Sequence, residues 1–121
     1  MTDYKKLYDD FITTYTTGQT SGEETGAMVA MMAQCYCEAN IELGRSDRIF
    51  AKAYAIIVDS IDEASGKPMS VSKADVLAKA TEEYSIYSTS KVHLQNIEQC
   101  INALKSLQKG ILNEYSHVSS I

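Results

Sequence analysis

Near the centre of the chain, Arg45, Arg48 and Lys52 stand at i, i+3 and i+7, so a helix carries all three cations on one face. Further along, Tyr84, Tyr87 and Lys91 repeat the same spacing, with Ser88 beside them at i+4. A guanidinium grips a phosphate as a planar fork, an ammonium acts as a point charge, and a tyrosine ring offers a face on which a base stacks. If the two stretches lie side by side, they frame a site for a phosphate-bearing small molecule. The plainer alternative is a wet surface on which Arg48 and Lys52 pair with Glu82, Glu83 or Asp47, and exposed pairs of that kind carry little energy. A second aromatic and basic cluster joins Tyr4, Tyr8 and Tyr15 to Lys5 and Lys6. It reads as a helix that docks through its rings, or as one wall of a ligand pocket at the edge of an oligomer.

Catalysis and metal binding find less material. A nucleophilic site needs a nucleophile, a base and an orienting group in one pocket. The two histidines are His93, between Lys91 and Gln95, and His117, in a serine-rich tail. No glycine-rich phosphate loop, nucleophile elbow or metalloprotease helix motif is present. Cys35 and Cys37 stand at i and i+2, on roughly opposite sides of a helix, and so cannot chelate one ion together. Glu23-Glu24 and Glu82-Glu83 diverge on a helix in the same way and read as caps or solvated faces. The expectation is a protein that is not an enzyme, with no cofactor and no metal.

The elements that must position these residues follow from periodicity. Tyr4, Leu7, Tyr8, Phe11, Ile12 and Tyr15 predict an amphipathic helix over about 4–16. A loop follows at Thr16-Thr17-Gly18, and Ser21 with Glu24 has the spacing of a capping box. From there Met28, Met32, Cys35, Ala39, Leu43, Ser46, Phe50, Ala53, Ile57 and Ile61 trace one stripe, predicting a helix over about 22–62, roughly 60 Å long. Its small members, Ala39, Ser46 and Ala53, let a partner helix come close. The turn is placed at 63–70, where Gly66 suits a left-handed helix end and Pro68 blocks continuation. Ser70 or Ser72 caps what comes next. A last helix over about 71–116 carries Leu77, Tyr84, Tyr87, Leu94, Ile97, Ile101, Leu104 and Ile111.

Two long helices joined by a short turn run antiparallel, which makes the fold all-α: a long helical hairpin with a short N-terminal helix, in one domain. Counting outward from the turn places Cys35 opposite the neighbourhood of Ile97 and Cys100 opposite Met32, as fillers of the seam. A two-helix layer leaves apolar stripe uncovered, which predicts self-association into a dimer or higher helical-bundle oligomer. Composition fits this class: of 121 residues 45% are hydrophobic, with one proline and no tryptophan among eight tyrosines and two phenylalanines. The net charge of −5 disfavours direct contact with nucleic acid. No apolar run has membrane-spanning length, and Met1 opens onto polar residues, so no membrane association is expected. Three cysteines without a secretory leader point to free thiols in a cytoplasm.

The segment Asn96-Ile97-Glu98-Gln99-Cys100-Ile101-Asn102-Ala103-Leu104-Lys105-Ser106-Leu107-Gln108-Lys109-Gly110, with Thr20-Ser21-Gly22-Glu23-Glu24-Thr25-Gly26, resembles small early proteins of tailed bacteriophages. That resemblance implies one of two roles in the host cytoplasm. One is a sponge that sequesters a cyclic nucleotide immune signal without cleaving it, antagonising anti-phage defence. The other is a protein–protein adaptor, such as an accessory of phage recombination or replication.

Overall fold

The computed structural model describes residues 2–18 and 20–119, with side chains as far as Glu114. The fold is all-α, a helical hairpin whose long arms pack on each other. Its elements are α1 (Tyr4–Thr16), α2 (Gly22–Val58), β1 (Ile61–Asp62), β2 (Lys67–Pro68), α3 (Val71–Lys79) and α4 (Glu82–Ser119). The chain divides into two compact units. The terminal unit comprises the residues up to Ala39 and those from Leu94 onward, and the middle unit is Asn40–His93.

The terminal unit holds the apolar core. Asp3 caps α1 by accepting the Lys6 N–H at 3.2 Å, which leaves the first turn free to place Tyr4 inward. Tyr4 and Phe11 are buried with Met32, Cys35, Ala39, Ile97 and Leu104, and Leu7, Tyr8, Ile12, Tyr15, Cys100 and Ile101 pack around them. α1 therefore covers one open side of the α2–α4 layer, as its ring-bearing face requires. Ser21 caps α2 by accepting the Glu24 N–H at 3.1 Å, the first half of the expected capping box. At Gly26 a side chain would place its Cβ 2.8 Å from Nε2 of Gln108. The bare backbone admits Gln108, whose amide donates to the Gly22 carbonyl at 3.3 Å. These contacts put Gly22 and Gly26 beside 108–112, so the two helices run antiparallel here, close to the counted register.

The middle unit departs from the expected elements in two places. α2 stops at Val58 rather than near 62. Ser60 turns its hydroxyl back onto the Ile57 carbonyl at 2.6 Å, and its own carbonyl accepts the Met69 N–H, committing the chain to a hairpin. There Ile61 pairs with Pro68 and Asp62 with Lys67. The Asp62 carbonyl accepts the Gly66 N–H at 2.7 Å, and Gly66 takes φ +70°, the left-handed conformation open to glycine without strain. The second departure is a break in the helix expected to run unbroken over 71–116. α3 ends at Lys79, and Thr81 caps α4 by accepting the Tyr84 N–H at 3.2 Å. Glu82 and Glu83 follow in the first turn, where the helix dipole favours acids. Ser70, not Ser72, caps α3, accepting the Lys73 N–H at 3.2 Å. Among the described residues, no helix is long and apolar enough to cross a membrane.

Candidate functional site

All seven residues of the sequence-derived site lie in the middle unit, where Arg45, Arg48 and Lys52 stand on α2 and Tyr84, Tyr87, Ser88 and Lys91 on α4. At the α2–α4 seam the ring that meets the tyrosines is Phe50. It stacks on Tyr87 with centroids 5.6 Å apart and planes 1° from parallel, and it tilts against Tyr84 at 5.3 Å and Tyr54 at 6.2 Å. Lys91 extends its ammonium over the outer part of this cluster, 5.1 Å from the Tyr87 centroid, in a cation–π contact. Ser88 is half-buried beside them on α4. The Tyr54 hydroxyl donates to the Asp75 carboxylate of α3, and that bond holds the phenol's pKa above its ordinary value.

The cations of α2 stand elsewhere. Arg48 and Lys52 lie two residues on either side of Phe50, and at about 100° per residue this sends both to the far side of the helix. Both are exposed. Arg45 is exposed as well and clasps Glu42 through two hydrogen bonds, of 2.7 and 3.1 Å, which hold the Glu42 carboxyl below its usual range. Neither arrangement weighed from the sequence is realised in full. The cations and the rings do not form one cradle. Nor do Arg48 and Lys52 join an ion pair among the described residues, where the pairs are Lys6–Asp10, Arg45–Glu42 and Lys73–Asp62. Three surface concavities, of about 490, 670 and 200 Å³, are lined by none of the seven residues.

On the outer face of α2 the cations have apolar neighbours. Ile41, Ile49 and Ile56, eight and seven residues apart, are exposed to 74%, 43% and 73%. The stripe predicted for α2 does not contain this row, because α2 is apolar on two sides and the stripe follows only the side that continues into the terminal unit. The isoleucine spacing alone could have revealed it. The buried positions described in the middle unit are small: Ser46, Ala74, Ala78 and Ser90.

The tyrosine cluster near the amino terminus docks. Tyr4 is buried, its hydroxyl accepting the Asn96 amide at 3.4 Å, and Lys6 pairs with Asp10 at 2.7 Å. Tyr8 lines the 490 Å³ groove between α1 and α4, together with Lys5, Asn96 and Cys100. Burial pushes the thiols of Cys35 and Cys100 up from their usual pKa, which favours their protonated, unreactive form. His93 is half-buried on α4, and the side chain of His117 lies outside the described residues. Among the described residues no three His, Cys, Asp or Glu side chains are grouped to hold a metal ion. Comparison with protein-family models, with curated proteins and with solved structures finds no match to this chain.

Proposed function

We propose that the protein is a non-enzymatic helical adaptor that binds another protein through its middle unit. One observation carries this reading. The buried apolar cluster, from Tyr4 to Leu104, lies wholly in the terminal unit. Of the twelve large apolar side chains exposed among the described residues, ten belong to the middle unit, all but Met31 and Leu112. One unit thus satisfies the hydrophobic effect internally and the other presents apolar surface to solvent, the mark of an interaction site rather than of a finished surface. The resemblance to phage early proteins fits an accessory of recombination or replication working in this way.

The same surplus supports assembly of the chain with itself, since Ile61, Val71 and Val76 are also exposed. Sequestration of a nucleotide has less support, because only Lys91 of the four cations stands with the tyrosines. The test is capture from an extract of the producing cell with three baits: wild type, Ile41→Glu/Ile56→Glu, and Leu112→Glu as a control in the terminal unit. A stoichiometric protein held by the wild type and the control but released by the double variant supports the reading. Equal retention by all three baits refutes it. Thermal stabilisation by a cyclic nucleotide, lost in Arg48→Ala, would replace it with sequestration.

A further inference from the structure

The outer face of α2 has a chemistry that selects its occupant, an inference that rests on the adaptor reading above. Between Ile41 and Ile56, four helical turns or about 22 Å, the face alternates isoleucines with Arg45, Arg48 and Lys52. Its one carboxylate, Glu42, is already bound by Arg45. Asp47, the other acid of this stretch, lies toward the opposite edge of the helix. Two exposed cations therefore remain without an ion-pair partner among the described residues, on a chain whose net charge is −5.

We propose that this face docks an amphipathic helix of an acidic partner protein, its apolar residues seated between Ile41, Ile49 and Ile56 and its carboxylates on Arg48 and Lys52. Exposed isoleucines at a near-heptad spacing provide holes for a partner's knobs, and flanking charges set which partner and which orientation is accepted. A second copy of this chain, using the same face, fits poorly. The antiparallel register that brings Ile41 against Ile56 of the second copy sets Arg45 against Lys52, and parallel pairing sets Arg48 against Arg48. Like charges so placed oppose association.

The test uses the full chain and three labelled peptides of about 22 residues, each with leucine at the a and d positions and with glutamate, glutamine or lysine at the flanking e and g positions. The expected result is binding of the glutamate peptide, weakened about tenfold or more by Arg48→Glu/Lys52→Glu and by raising salt, with the lysine peptide now taken by the reversed variant. Both substitutions are on exposed side chains, and helical circular dichroism of each variant checks that the fold is kept. Equal binding of the glutamine and glutamate peptides, or glutamate binding that survives charge reversal, overturns the proposal. If peptide selection fails while the Ile41→Glu/Ile56→Glu bait still loses its captured protein, the acidic-helix assignment falls and the adaptor reading stands. If both fail, both fall.

Discussion

Leu104→Ala and Ile41→Ala truncate similar side chains in the two units, and they should behave very differently. Leu104 is fully buried against the cluster of Met32, Cys35 and Ile97. Losing three carbons at roughly 0.8 kcal/mol each costs about 2.4 kcal/mol in transfer energy, and the cavity left behind raises the total to about 3 kcal/mol. At Ile41, 74% exposed, only about a quarter of that transfer energy is at stake, about 0.6 kcal/mol. Alanine's better helix propensity returns about 0.4 kcal/mol of it, so the net change stays within about 0.5 kcal/mol of zero. Urea unfolding followed by helical circular dichroism, at two protein concentrations about tenfold apart, measures both with the m-value as control. A loss at Ile41 equal to that at Leu104, at the lower concentration, would mean that the chain covers this face itself, and the reasoning would fail. A loss that grows with concentration would mean that another copy covers it.

Three further outcomes follow from the geometry. Thr81→Ala removes the cap of α4 and should destabilise by about 1 kcal/mol in urea unfolding, whereas Ser72→Ala, at a serine that caps nothing, should be near neutral. Thiol labelling under native conditions should go fastest at exposed Cys37, slower at half-buried Cys100 and slowest at buried Cys35, as peptide mass mapping would show. The Tyr54–Asp75 bond raises the phenol's pKa above its ordinary 10.0, so its contribution is complete below that value and is lost as pH climbs through the raised one. The stability gap between wild type and Tyr54→Phe should thus be constant at neutral pH and close on the alkaline side. A gap that persists there would show that the hydroxyl contributes by packing instead.

The hairpin could be read from residue types because each of its signals was local. The ring spacing of α1, the Ser21 cap and the turn at Gly66 and Pro68 all reappear in the structure, and Cys35 and Ile97 are buried in one cluster. The break after Lys79 could not be read so easily. Ala80 is the best of helix formers, and only Thr81 followed by two glutamates marked a new start. The candidate site was legible by composition but not by direction. Arg45, Arg48 and Lys52 share a face as their spacing requires, but which face α4 covers is set by Phe50 and Ser46, and these place the cations on the opposite one. A helix with apolar residues on two sides carries no local sign of which side its neighbour takes.

Amide hydrogen exchange with and without a saturating amount of the glutamate-flanked peptide tests the central claim most directly, namely that the outer face of α2 in the middle unit docks an acidic helix. Added protection confined to Asn40–His93 and strongest over 41–58, with exchange at 2–39 and from Leu94 onward unchanged, is the predicted result. Protection that appears in the terminal unit instead, or none anywhere, would contradict it.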